Sequence, residues 1–460
     1  MAGITISLVF SENGIIAKAR EAADKTNQAI ANEQEEMNKV ADYMSNMLNG
    51  IGGGSIPEEP ELPSDGSYSE LKGVNTPNLG TGMTPIKWNG STWVETTGDD
   101  EEWYDYSAKK WANATTSDGS MWVWIPRYAY SITSGYHQSG ADINLDDGAE
   151  GANSAGTIEV EFMKGTSNES ATGRTTFQNA SGQGNWNIHP AFTYGSTVSG
   201  IWVAKFEASS VEGNSNSSSG DNVTTKTLQV KPGVSSWRYI TISNMYDVCL
   251  NYNTTLNSHL MKNDEWGAVA YLSKSEYGKE TEEVWINNSS SFITGSAGNS
   301  AVAGTYTGTT NDYTSTQGVK ASTTGNVYGV YDMSGGAWER TAAYVNNGNS
   351  SLTSYGNSLV NGDAKTKNVY TMGSGDTWLA NYNANASKYG DAVYETSSDS
   401  ASPWNLSWYA DYSNFPYTSI PFFIRGGGYG NTTGTGVFCF NYANGAAYND
   451  GSFRPVLVAL

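Results

Sequence analysis

Apolar residues first recur along the chain at helical spacing. Positions 16, 19, 23, 26, 30, 33, 37, 40, 44 and 47 step by three and four and carry Ile16, Ala19, Ala23, Thr26, Ile30, Glu33, Met37, Val40, Met44 and Met47. No Pro or Gly interrupts this stripe before Gly50, so the pattern predicts one long helix closing the segment 1–49. Gly50 to Ser55, followed by Pro57, Pro60 and Pro63 among acidic residues, then predicts a flexible and extended connector over 50–66.

Beyond the connector the period changes to two. Asn89-Gly90 between Pro85-Ile86-Lys87-Trp88 and Ser91-Thr92-Trp93-Val94 predicts a hairpin, because Asn and Gly tolerate positive φ. The dense run Met121 to Ile125 predicts a core strand that stops at Pro126, since proline has no N–H for a ladder. Gly200 to Ala208 alternates as a central strand should. Asn257 to Leu272 predicts a partly buried helix capped by Asn257 or Ser258. The Ser/Asn/Gly/Thr-rich stretches Ser209 to Thr225 and Asn287 to Thr324 predict surface insertions.

Composition sharpens this picture. Charged residues make up only 15% of the 460, whereas Trp (15) and Tyr (29) are plentiful, so the chain expects few helices, many loops and a folded aromatic core. A net charge of -21 repels phosphate backbones and anionic surfaces, which sets nucleic acid aside as a partner. Two cysteines, Cys249 and Cys439, cannot form a disulfide framework, though one bridge between them stays open. His137, His189 and His259 show no metal-ligand spacing, and His189 before Pro190 reads as a polar turn residue. Asp332, Glu339 and Asp411 are carboxylates that chemistry could use, but no spacing selects them.

Two strings near the end of the chain carry the strongest signal. Asn326-Val327-Tyr328-Gly329-Val330-Tyr331-Asp332-Met333-Ser334-Gly335-Gly336-Ala337-Trp338-Glu339 stands upstream, with its glycines read as close backbone packing and Trp338 as a core anchor. Ile424-Arg425-Gly426-Gly427-Gly428-Tyr429 and Ser452-Phe453-Arg454-Pro455-Val456-Leu457 bracket a softer middle of Gly, Ala, Asn, Thr, Tyr, Phe and Cys. Together they resemble the C-type lectin fold in its formylglycine-generating-enzyme-like branch, and more narrowly the variable proteins of diversity-generating retroelements. The resemblance implies an α+β, loop-rich lectin-fold domain over 120–460, with 67–119 as a hairpin-rich extension and a variable region at about 425–457.

That resemblance implies ligand contact through Gly428, Gly430, Asn431, Cys439, Asn441, Tyr442, Ala443, Asn444, Ala446, Tyr448, Asn449 and Asp450. In Val437 to Tyr442 the alternation puts Phe438 and Phe440 inside and Cys439 and Asn441 outside. Adenine-directed mutation of asparagine codons cannot produce Lys, Glu, Gln, Met or Trp, and none of these occurs from Gly428 to Asp450. Tyr, Asn and Gly are also what adaptable binding surfaces use.

The front of the chain, Ser11 to Ala22, resembles the mature start of type IV pilin-like proteins of Gram-positive bacteria. In that family a longer apolar segment precedes it. Ile4 to Phe10 falls far short of the ~20 residues a membrane span needs, so Met1 reads as an engineered start, a shortened reading frame or a processed form. The expected protein is therefore a non-enzymatic binder at the cell surface or on a pilus. Its expected partners are an unidentified protein or surface ligand and, through the helix, other pilin subunits. No cofactor is expected; the resemblance admits structural calcium without assigning its ligands. Two rival expectations are a copper-dependent oxidase of the formylglycine-generating type, which needs two close thiolates where the matching stretch offers Cys439 alone and Cys249 is far away in sequence, and a structural pilus subunit or phage tail receptor-binding protein.

Overall fold

Strand pairing starts with the predicted hairpin. In a computed structural model, which describes residues 64–137, 155–301, 310–398 and 407–460, β1 (Met83–Trp88) pairs with β2 (Trp93–Glu95), Trp88 facing Trp93. The Asn89 side-chain oxygen accepts from the Ser91 and Thr92 N–H groups, both at 3.0 Å, and Gly90 supplies the turn with φ +100°. The helix predicted within 1–49 and most of the connector lie outside the described residues.

After β3 (Asn113–Thr116), β4 (Met121–Pro126) ends on its proline, as expected. The chain then enters a separate three-stranded sheet of β5 (Tyr128–Ser134), β6 (Thr157–Phe162) and β7 (Asn187–Ile188). It returns as β8 (Gly200–Ala204), every residue of which is buried. Next come α1 (Ile242–Tyr252), β9 (His259–Leu260) and α2 (Asn263–Lys274). The last strands are β10 (Trp338–Val345), β11 (Asn368–Tyr370), β12 (Phe422–Arg425), β13 (Phe440–Ala443), β14 (Gly451–Phe453) and β15 (Pro455–Leu457). The described residues form a mixed α and β fold, mainly sheet with few helices.

Seven strands form an antiparallel sheet in the order β9-β15-β8-β4-β3-β1-β2, so the segment 67–119 contributes directly to the main sheet. The other large sheet runs β11-β10-β12-β13, with β14 parallel to the first residues of β10. Tryptophans fill the core, and each buried indole N–H needs an acceptor. Trp122 donates to the Thr116 hydroxyl (3.1 Å), Trp124 to the Asn75 carbonyl (3.1 Å) and Trp202 to the Asn78 carbonyl (2.7 Å).

One buried ion pair joins the two sheets. Arg454, between β14 and β15, meets Glu339 of β10 through two nitrogens, with Nε to Oε2 at 2.7 Å. The same guanidinium donates to the carbonyls of Ala204 in β8 and Tyr331, each at 2.9 Å. The two end motifs of the sequence thus touch through their charged members. Between them, Gly335 and Gly336 turn into β10 at φ +78° and +73°; a Cβ on Gly336 would lie 2.5 Å from Glu207 Oε1.

Several expectations need correction. The helix placed at 257–272 begins only at Asn263, because Asn257 sits at φ +48° and His259–Leu260 pair with β15. Its start is closed by Glu265, whose Oε2 accepts from the Lys262 N–H at 2.8 Å and whose Oε1 contacts His259 Nε2 at 2.9 Å. His189 is buried among Tyr128, Tyr130, Phe192 and Tyr271 rather than in an exposed turn; burial pushes its pKa down to about 3, so the ring is neutral. The polar stretches predicted at the surface are partly core: Ser209, Asp221, Asn287, Ser289 and Thr294 are buried. Their side chains satisfy loop backbone, as when Asn287 Nδ2 donates to Ile293 O (2.9 Å) and Asp332 Oδ1 (2.8 Å). Cys249 and Cys439 are both free and buried.

Candidate functional site

The side-chain row Arg340–Ile424–Asn441 crosses β10, β12 and β13 in register, on one face of the sheet. Alternation puts Trp338 with Arg340, and sends Glu339 to the opposite face toward Arg454. Over the first face opens a concavity of about 420 Å³. Trp338, Arg340, Ile420 and Ile424 line it from the sheet side, Asn441 to Asn444 from β13 and its end, and Tyr448 to Gly451 from the loop that follows. A smaller, polar cleft of about 340 Å³ lies elsewhere, beside Asp118, Lys226 and Tyr252.

The loop 444–450 is fastened by its main chain. The Gly445 carbonyl accepts from the Ile242 N–H (3.1 Å), Tyr448 O from Tyr239 N–H (2.8 Å) and Asp450 O from Trp338 N–H (2.8 Å). Ala446 O accepts from Arg340 Nη2, and Asn449 O from Arg238 Nη1. Asn444 Oδ1 starts the turn by accepting from the Ala446 N–H at 2.9 Å. Gly445, at φ +89°, packs where a Cβ would come within 2.8 Å of Phe422. The side chains, by contrast, face outward: Asn441, Tyr442 and Asn444 are half-buried, and Tyr448, Asn449 and Asp450 are exposed. Tyr442 meets Tyr417 edge-on at 5.5 Å, and Asn444 Nδ2 donates to the Tyr448 hydroxyl at 3.1 Å.

Of the residues predicted to contact ligand, Asn441, Tyr442, Ala443, Asn444, Tyr448, Asn449 and Asp450 converge on this concavity. Gly428, Gly430 and Asn431 do not line it. Gly428 is buried in its own turn, its N–H bound to Asn431 Oδ1 (2.9 Å) and its carbonyl to the Thr435 hydroxyl (3.0 Å). Ala446 contributes its carbonyl to Arg340 and is no part of the lining. Cys439 overturns the alternation: the strand starts only at Phe440, so Val437, Phe438 and Cys439 belong to a coil and all three are buried. Burial, and secondarily Asp411, hold its thiol well above the ordinary range.

Trp338 also departs from expectation. It is half-buried, stacked on Tyr412 at 6.4 Å, and forms a wall of the concavity instead of a core anchor. Sequence reasoning missed Arg340, Ile420, Ile424 and Gly451 as lining residues. The signal for Arg340 was its place two residues beyond Trp338 on one strand; for Ile424, its place in a strand facing the one that carries Asn441 and Tyr442.

The candidate carboxylates are enclosed. Asp332 accepts from Glu207 N–H (3.2 Å), Asn287 Nδ2 (2.8 Å) and Gly295 N–H (2.9 Å). Burial pushes Glu339 up to about 7 despite Arg454, and holds neighbouring Glu207 well above the carboxylate range. Asp411 stands in another cluster, raised by burial and by Glu283, with Oδ2 accepting from the Phe438 N–H at 2.9 Å. All three are at most 1% exposed, which suits holding the frame. Among the described residues no group of three or more His, Cys, Asp or Glu is placed to hold a metal ion. No protein-family model matches the chain, and no curated protein matches it.

Proposed function

We propose that this chain is a surface-displayed binding protein: a pilin-like N-terminal helix carries a lectin-fold head that captures a ligand non-covalently in the concavity between β10, β13 and the loop 444–450. A diversity-generating retroelement varies the residues that line it between Asn441 and Asp450. The observation that carries this reading is the division of labour in the loop, where main-chain carbonyls hold position and side chains line the opening. Every residue type offers a carbonyl, so substitutions at Tyr448, Asn449 and Asp450 leave these bonds intact. The Tyr- and Asn-rich lining supplies contact area and adaptable hydrogen bonding.

The oxidase reading draws no support from the geometry. Cys249 belongs to α1 and Cys439 to the coil before β13, and burial raises both thiols, which opposes the thiolate that copper needs. Sequencing the 3′ end of the gene across its source population tests the proposal. Adenine-linked substitutions concentrated at codons 441, 442, 444 and 448–450, with 428 and 439 constant, are expected; a uniform sequence would remove diversification and leave a fixed binder.

A further inference from the structure

Arg340 is 2% exposed, yet it lines the concavity. Its Nη2 donates to the Ala446 carbonyl, while Nε and Nη1 have no hydrogen-bond partner. A buried donor left unpaired is costly, more so when charged, and such a group calls for an acceptor. Burial lowers its pKa only to about 10, so the guanidinium is charged at neutral pH. Among the described residues no carboxylate comes within ion-pair distance; Asp450, on the exposed rim, acts on it only through space. Gly451 keeps the approach clear, since a Cβ there would lie 3.1 Å from Nε. The ring of Tyr448, 47% exposed, has its centroid 5.8 Å from the guanidinium carbon.

We propose that Arg340 is a fixed anchor for a carboxylate on the ligand, set beneath a surface whose other residues vary. This inference rests on the concavity being the binding site. Arg340 lies on β10, outside the stretch 428–450, so every variant of the site keeps the same cation. A ligand carboxylate would displace the Tyr448 ring and accept the unpaired N–H groups, a charge-assisted contact of the strong kind. The carboxylate could come from an acidic peptide side chain or an acidic sugar, and the chemistry at Arg340 is the same.

The test uses ligand-observed NMR on the full chain with N-acetylaspartate methylamide and glucuronic acid as probes. Their neutral counterparts are N-acetylasparagine methylamide and methyl glucuronate. At least one acid is expected to bind about tenfold or more tightly than its neutral counterpart, and which acid does so identifies the source. Arg340→Met should abolish that preference while the neutral probes still bind, which separates loss of the anchor from loss of the loop that Arg340 also fastens. Asp450→Asn, at an exposed position, should strengthen acid binding several-fold by removing a competing charge. Neutral probes binding as well as acids, or acid binding unchanged in Arg340→Met, would overturn the anchor while leaving the concavity a binding site. If no probe binds the wild-type chain, the anchor and the placement of the site both fall.

Discussion

Replacing Glu395 by Gln isolates one buried carboxylate whose cost the structure sets. Glu395 is 1% exposed and makes no ion pair among the described residues. Its Oε2 accepts from Gly390 N–H (2.6 Å), Tyr130 OH (2.7 Å) and Tyr271 OH (2.9 Å). Loss of solvent outweighs these bonds and pushes the pKa from 4.5 up to about 7. Below pH 4.5 the group is protonated folded and unfolded, and its protonation favours neither state. Between 4.5 and 7 the unfolded chain ionises while the folded one keeps its proton, so stability falls by about 1.4 kcal/mol per pH unit. The loss levels off near pH 7 at about 3 kcal/mol. Gln keeps an acceptor for these donors and cannot ionise. Urea unfolding of wild type and Glu395→Gln at pH 4.5, 6 and 8 should show the variant gaining about 3 kcal/mol on the wild type across the window. Other titrating groups cancel in the comparison. A difference independent of pH would refute the reasoning and mean that Glu395 is ionised in the fold at little cost.

Glu339→Ala strands Arg454 in the core and should cost about 3–5 kcal/mol in chemical unfolding, whereas a loss under 1 would mean the joint between the sheets is held otherwise. Gly336→Ala must place a Cβ at positive φ against Glu207, with an expected loss of roughly 2–4 kcal/mol and a correspondingly lower Tm. Both thiols should stay silent to Ellman's reagent in the native protein and react on denaturation; native labelling of Cys439 would contradict its burial. Tyr448→Ala should leave stability within about 0.5 kcal/mol of wild type, since a much larger loss would make it a structural residue rather than a rim residue.

What the sequence made legible is what local rules control. The Asn89-Gly90 turn, the end of β4 at Pro126 and the close packing at Gly335-Gly336 each follow from one residue's backbone chemistry. The strand read over Gly200 to Ala208 is central but ends at Ala204, and every residue of it is buried instead of alternating. Much of the concavity was legible too, through Asn441 to Asn444 at β13 and Tyr448 to Asp450 in the loop that follows. What failed depended on partners distant in sequence. His259–Leu260 became a strand because β15 offers an edge, and Cys439 turned inward because its coil packs beside Asp411 and Arg425. α1 was overlooked although Ile242, Met245, Tyr246 and Cys249 carry helical spacing and Thr241 accepts from the Asn244 N–H as a cap. Alternation put Arg340 on the face of Trp338, but its place in the concavity depends on how β10, β12 and β13 align.

The crossing of residues 451–457 from one sheet to the other governs when the fold can be completed. β8 waits for β15, about 250 residues later in synthesis, and Glu339 waits for Arg454. Contacts of such separation form late and slowly. A nascent or prematurely ended chain that stops before Gly451 has made the loop 444–450 yet lacks the strands that complete both sheets. Only finished molecules then present the concavity, and faulty ends are betrayed by exposed strand edges that a protease or chaperone can sense.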